Sequence, residues 1–337
     1  MEKSAKRSAA TTAGKTYSFS DQHNPEQPAN HWFQQTPEGQ TLFLVLYTQA
    51  CLWAQCVGCN LPSLVSKKHV PFGKIMQQID HVFERMISPA GAQSLRKIIL
   101  SNNGSVLDER TFSTTALLYF VAKMNMHCPG VRVLTLESRA EYIDEEELEV
   151  LARALREGAF STDLELAIGF EAFDDRIRNR VFRKGLSLKT FENTVRNAAR
   201  HGFRIKAYFM LKPVLGMSET EAVEDIRQGL RYLDMLAKKY DATINMHLNP
   251  TFVAKGTILE TAFRDGRYAP PALESLRRAA LAAAGTKVSV YLGLYDEGMA
   301  VSGGSFIRRG DGPLLRRLRR FNKTQDFNLL KPGTPGR

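Results

Sequence analysis

Six short apolar runs, each closing on polar residues and each followed by a stretch of helical spacing, restrict this chain more than any other feature. They fall at 42–48, 97–101, 131–136, 164–170, 203–211 and 243–248, and 288–292 reads as a late additional strand. Runs this short and this continuously apolar suit strands buried on both faces of a parallel sheet. The intervening segments predict helices near 73–87, 111–126, from 144 onward, and at 174–182, 187–201, 219–238 and 270–284. Local signals agree. Asp144 to Glu147 load acid into a first turn, Gly202 stops a helix, and Ser218-Glu-Thr-Glu221 is a capping box. Six strand–helix repeats predict an α/β fold, an open (β/α)6 barrel over 41–295, between a polar N-terminal lead-in at 1–40 and a basic C-terminal extension at 296–337. Pro25, Pro28 and Pro37 make 17–40 read as irregular, and Met1 to Lys15, with no apolar core, reads as a disordered arm and not a secretory signal.

Directly after the first run stands Cys51-Leu-Trp-Ala-Gln-Cys56-Val-Gly-Cys59, which holds three of the four cysteines. A loop leaving the C-terminal end of a barrel strand is where such folds keep their chemistry. Three thiolates at x4 and x2 spacing can converge on one inorganic centre, and Gly58 gives the wrap its freedom. A [4Fe–4S] cluster held by three cysteines leaves one iron open. Zinc calls for a fourth ligand, for which His69 is available. An inert or redox-active thiol set is the third reading. A disulfide would leave one of the clustered cysteines to pair with distant Cys128.

Polar groups recur at the strand ends. Asn103, Gly104 and Ser105 follow the second strand and expose backbone groups. Glu137 and Arg139 follow the third, offering a carboxylate for ribose hydroxyls and a cation for a carboxylate. Gly169 before Glu171 lets a flat ligand approach the backbone, and Arg183 brings a cation to the next loop. Tyr208, Lys212, His247 and Asn249 end the fifth and sixth strands. Each has a bland alternative: a turn, an ion pair, a bulge or a packed core histidine. Trp53 reads as core packing or as a shield for the centre.

These stretches together resemble the radical S-adenosylmethionine (radical SAM) superfamily, whose commonest cysteine spacing, C-x3-C-x2-C, is one residue shorter in the first gap than here. Ser138-Arg139-Ala140-Glu141, Ile168-Gly169-Phe170-Glu171 and Arg183-Lys184-Gly185 are similar to the Elongator-catalytic-subunit-like branch. Within it, Asn103 to Asp108, Tyr208 to Pro213, Asn249-Pro250-Thr251 and Lys255-Gly256-Thr257 resemble the radical SAM subunit family of archaeosine synthase, which modifies transfer RNA. The resemblance covers about 40–280. It implies a partial TIM barrel of the radical SAM type, with a [4Fe–4S] cluster on Cys51, Cys56 and Cys59 as metal ligands. It implies S-adenosyl-L-methionine held around Asn103, Gly104, Ser105, Glu137, Arg139, Gly169, Glu171, Arg183 and Asn249, with Tyr208, Lys212 and His247 facing the substrate. Asn102 to Ser105 takes the place of the superfamily's Gly-Gly-Glu motif without its acid. The implied chemistry is reductive cleavage of S-adenosylmethionine to a 5′-deoxyadenosyl radical that takes hydrogen from a substrate.

The net charge is +11, concentrated in Lys3, Lys6, Arg7 and Lys15 in front and in Arg308, Arg309, Arg316, Arg317, Arg319, Arg320 and Lys323 behind. The C-terminal arginines read either as a phosphate-binding helix or as the solvated face of an amphipathic helix whose Leu314, Leu315, Leu318 and Phe321 dock on the barrel. The expected partners are an electron donor of the flavodoxin or ferredoxin type and transfer RNA or a subunit presenting it. Two other readings stay open, a radical SAM enzyme acting on a small metabolite and a zinc-stabilised RNA-binding protein. No run approaches the roughly 18 apolar residues of a membrane span, and the clustered cysteines fit a reducing compartment, so the expected location is cytoplasmic.

Overall fold

The structure is a computed structural model that describes residues 9–12, 15–296 and 298–333. Lys3, Lys6 and Arg7 lie outside the described residues. The chain divides into two compact units, Met1–Ala54 with Cys59–Leu166, and Gln55–Gly58 with Ala167–Arg337.

The first unit opens with β1 (Ala9–Thr12) and β2 (Lys15–Ser18), an antiparallel pair where a disordered arm was expected. The segment expected to be irregular holds a second departure. Asn30–Thr36 forms β3, antiparallel to β4 (Gly39–Val45), with Pro37 confined to the turn between them. The physical reason is period-two burial along β3, which seats Trp32 flat on Phe43 with ring centroids 4.1 Å apart. Helix α1 (Phe72–His81) runs on into a π-helical turn at Val82–Met86, and the short α2 (Pro89–Ser94) precedes β5 (Leu95–Ser101). Then come α3 (Thr114–His127), β6 (Val133–Ser138) and α4 (Glu145–Ala154), the last capped by Asp144, whose carboxylate accepts from the Glu146 and Glu147 amides. Strands β4, β5 and β6 are parallel and in sequential order. Leu42, Leu44, Ile98, Leu100, Leu134 and Leu136 are all fully buried, as continuous apolar runs require. One charged network interrupts this core. Lys97 pairs with Glu38 at 3.1 Å and Glu165 at 2.9 Å, and Thr135 donates to Glu165 at 2.7 Å.

Strand β7 (Asp163–Glu171) runs from the first unit into the second. There α5 (Leu188–Arg200), β8 (Arg204–Leu211), α6 (Glu219–Tyr240), β9 (Ile244–Pro250), α7 (Ile258–Arg264), α8 (Leu273–Leu281), β10 (Ser289–Leu292) and α9 (Gly312–Thr324) follow. The capping box of Ser218 and Glu221 is formed. Strands β8, β9 and β10 are parallel and sequential. Their buried faces carry Phe209, Leu211, Met246, Leu248, Val290 and Leu292, while Tyr208, His247, Asn249 and Tyr291 sit half-buried on the other. Helix α6 reaches the apolar face through Gly229, whose missing Cβ leaves room for the Phe209 ring. With strands in sequential order in both units and β7 common to them, the fold is the open partial barrel of β/α repeats expected from the sequence.

The basic extension closes the sheet's last strand. On α9, Leu318, Phe321 and Asn322 are buried. Asn322 accepts from the Leu292 amide at 2.9 Å and donates to its carbonyl at 2.8 Å, and Gln325 donates to the Val290 carbonyl at 2.9 Å. Side-chain amides thus satisfy an edge strand's backbone, and the edge offers no ladder for another chain. Asn322→Leu should leave both Leu292 groups unpaired in an apolar setting and lower stability by about 1–3 kcal/mol, read as a lower urea midpoint.

Candidate active site

The cysteine loop follows β4, and Ala54 within it has a left-handed backbone, φ 45°. Cys51, Cys56 and Cys59 are half-buried and in no disulfide, whereas Cys128 is buried at the end of α3, where burial pushes its thiol up to about 11. An inert core thiol is what its distance in sequence from the loop suggested.

In the first unit the turn after β5 lies against this loop. A Cβ on Gly104 would stand 3.3 Å from the Cys51 Cα and 3.4 Å from its nitrogen, so any other residue would crowd the two backbones and push them slightly apart. The turn is braced from within, since Asn102 accepts from the Gly104 amide at 3.1 Å. Asn103 takes φ 55°, a conformation asparagine tolerates. Ser105 joins the turn to the end of β6, because its hydroxyl accepts from the Arg139 amide at 3.2 Å, while the Val106 amide donates to the Glu137 carbonyl at 2.9 Å. The Arg139 guanidinium lies 4.4 Å above the Trp53 ring and pairs with Glu141 at 2.5 Å. Trp53 is therefore a cation–π partner inside the cysteine loop. Lys15, fully buried, donates to the Ala54 and Cys59 carbonyls at 3.1 and 3.3 Å.

In the second unit the middle of the cysteine loop rests on the turn after β7. The Val57 amide donates to the Phe182 carbonyl at 2.9 Å, and a Cβ on Gly58 would stand 3.3 Å from the Phe182 ring. Buried Arg178 holds that turn by donating to the carbonyls of Ala172, Phe173 and Leu186. Asp225 of α6 accepts from the Phe173 and Asp174 amides at 3.0 and 2.8 Å. Beside it, Glu171 and Lys184 pair at 2.8 Å, and a Cβ on Gly169 would collide with both charged tips. Arg183, next to Lys184, has φ 63°. At the ends of β8 to β10, Tyr208, His247 and Tyr291 are register neighbours with ring centroids 4.9 and 5.0 Å apart. Asn249 fills the space left by the missing Cβ of Gly293. Lys212 points elsewhere, pairing with Glu219 at 3.1 Å while its carbonyl accepts from the Tyr268 hydroxyl at 2.9 Å.

Of the non-glycine residues with left-handed backbone among those described, Asn103, Glu171 and Lys212 each end or follow a strand, Ala54 lies in the cysteine loop and Arg183 in the turn after β7. Such conformations cost on the order of 1–3 kcal/mol each and gather where function constrains the chain. Sequence reading placed the cations of Arg183-Lys184-Gly185 at this loop; of the two, Lys184 makes the ion pair at Gly169. Arg178, Lys15 and Gly293 carried no signal, because their roles depend on contacts between distant segments. Among the described residues no three cysteine, histidine or acidic side chains are already gathered as a metal-ligand set. The fit of a cluster therefore rests on the donor set itself, three unbridged soft thiols on one glycine-containing loop.

No protein-family model matches the chain. An archaeosine synthase subunit beta of Methanosarcina acetivorans is 30% identical over 240 residues, 70% of this chain and 65% of that one, so the chain spans just under two thirds of this relative. A second subunit of that name, from Thermococcus kodakarensis, is 26% identical over 244 residues, 70% of each. An uncharacterised protein of Methanocaldococcus jannaschii is 24% identical over 299 residues, 87% of this chain and 78% of that one. Among solved structures, a spore photoproduct lyase aligns with a TM-score of 0.48 at 12% identity, over 79% of this chain and 80% of that one.

Gly169→Ala must displace the flexible tips of Glu171 and Lys184, so it should lower the urea midpoint only slightly, by the equivalent of about 1 kcal/mol or less. The control is Gly73→Ala on α1, where nothing lies within 4 Å of the new Cβ and stability should hold or rise.

Proposed function

We propose that this chain is a radical SAM enzyme related to the archaeosine synthase beta subunits, and that its cysteine loop and strand ends form the active site of a tRNA-modifying member. The observation that carries the reading is the set of three thiols, none in a disulfide, that fall within nine positions just after the first parallel strand, with the Asn102–Ser105 turn packed on the first of them. Three thiolates would leave one iron of a [4Fe–4S] cluster open; the chemistry such a cluster would supply is one-electron reduction of bound S-adenosylmethionine, giving methionine and a 5′-deoxyadenosyl radical.

The protein's own work is to bind, orient and exclude. Cys51, Cys56 and Cys59 would hold the cluster. Gly104 keeps side chains away from Cys51, and the backbone groups of 103–105 offer the nearest acceptors for an amino group. Arg139, fixed by Trp53 and Glu141, is the cation placed to meet a carboxylate. Glu171, held by Lys184 over the bare backbone of Gly169, is the carboxylate suited to ribose hydroxyls. Tyr208, His247 and Asn249 would meet the substrate, whereas Lys212 is engaged by Glu219.

A transfer RNA substrate is supported by the relatives' name and by the exposed Arg316, Arg319 and Arg320 of α9. Arg317 is tied to the Leu329 and Lys331 carbonyls and contributes less to such a surface. An electron donor of the flavodoxin or ferredoxin type would feed the cluster, and a partner subunit is suggested by the same name. Among the described residues no helix is long and apolar enough to cross a membrane.

Anaerobic reconstitution should give about four irons and four sulfides per chain, and 5′-deoxyadenosine on addition of reductant and S-adenosylmethionine. Cys51→Ala, Cys56→Ala and Cys59→Ala should each abolish both, and Cys128→Ala neither. Stoichiometric zinc with no uptake of iron would overturn the reading. For the substrate, log affinity for transfer RNA should fall linearly with log salt, and Arg316→Gln, Arg319→Gln and Arg320→Gln combined should flatten that slope. Absence of salt-sensitive binding at low ionic strength would favour a small-metabolite substrate instead.

A further inference from the structure

Lys15 is fully buried, an uncommon state for a lysine, and two acceptors of its ammonium are neutral backbone carbonyls, those of Ala54 and Cys59. In sequence these carbonyls bracket Gln55–Gly58, so one side chain joins the two ends of the loop's centre. The segment around it runs alongside the loop's exit. Strand β2 touches the turn at Leu61–Leu64, the Ser20 amide donates to the Val65 carbonyl at 3.4 Å, and the Lys67 amide donates to Asp21 at 3.0 Å. The Tyr47 hydroxyl, at the end of the first strand, donates to the Ser20 carbonyl at 2.9 Å. The region from Lys15 to Asp21 is thus a strap bound to both the entrance and the exit of the cysteine loop.

We infer that this N-terminal strap is a working part of the cysteine site, with Lys15 as a positioning residue that holds the loop closed and sets a positive charge beside its thiolates. Two consequences follow from the chemistry. Two charge-assisted hydrogen bonds restrain a loop that must otherwise pay its ordering entropy when it takes up metal. A buried cation close to a thiolate-ligated cluster favours the state carrying one more electron. The second consequence rests on the cofactor reading above; the first does not.

The full chain is compared with Lys15→Met and Lys15→Gln. In the metal-free proteins, chymotrypsin cleavage after Trp53 should be at least about tenfold faster in Lys15→Met and less affected in Lys15→Gln, which retains donors. In the anaerobically reconstituted proteins, loss of cluster absorbance to excess chelator should follow the same order, and the reduction midpoint of both variants should move to more negative potential. Should Lys15→Met show no cooperative unfolding, Lys15→Gln decides: a midpoint equal to that of the unaltered chain overturns the charge role. Unaltered Trp53 cleavage and chelator release in a folded Lys15→Met overturn the strap. An unaltered chain that takes up no cluster overturns the cofactor reading, while the Trp53 cleavage still tests the strap.

Discussion

A parallel strand must hand its chain on to a helix, and the turn that does so decides what the strand end can present. Here that constraint is met with backbone strain. Asn103, Glu171 and Lys212 hold left-handed conformations at the exits of β5, β7 and β8, where glycine would be the unstrained choice. Keeping a side chain at such a position has a cost that the surrounding contacts must over-determine. At Glu171 the contact is Lys184, at Lys212 it is Glu219, and at Asn103 it is the Ser101 hydroxyl accepting from its amide at 3.2 Å.

The same turns rely on glycine in the opposite sense, as missing side chains. Gly104 lets one strand-end turn meet the Cys51 backbone, Gly169 makes room for two charged tips, and Gly293 makes room for the Asn249 amide. Polar groups and bare backbone therefore alternate at the strand ends within each unit. Buried Arg178 and Asp225 serve this arrangement from behind by satisfying the backbone of the loop that carries Arg183 and Lys184.

Charge is distributed by role. Three interior cations are answered by carboxylates: Lys97 by Glu38 and Glu165, Lys184 by Glu171, and Arg139 by Glu141. Much of the surplus positive charge lies on α9, whose apolar stripe is spent on docking and whose amides cap β10. The helix thus has a structural duty that would hold it in place even if its arginines met only solvent.

The sequence by itself determined the β/α repeat, the parallel sheet, the capping box at Ser218 and the isolation of Cys128, because each is written in local periodicity or spacing. It also placed the three cysteines and the Asn103–Ser105 turn at successive strand ends. Only the tertiary structure decided which charged groups meet. That Lys184 pairs with Glu171 beside Gly169 while Lys212 turns to Glu219 depends on helix and loop geometry that no spacing rule encodes. Antiparallel β3 escaped notice because the flanking Pro28 and Pro37 outweighed a weak alternation, and the seven-residue α7 is too short for periodicity to register. Lys15 is the clearest case. Its neighbours in sequence are polar and unremarkable, and its burial arises from carbonyls 39 and 44 residues away, a distance over which only the folded chain can bring groups together.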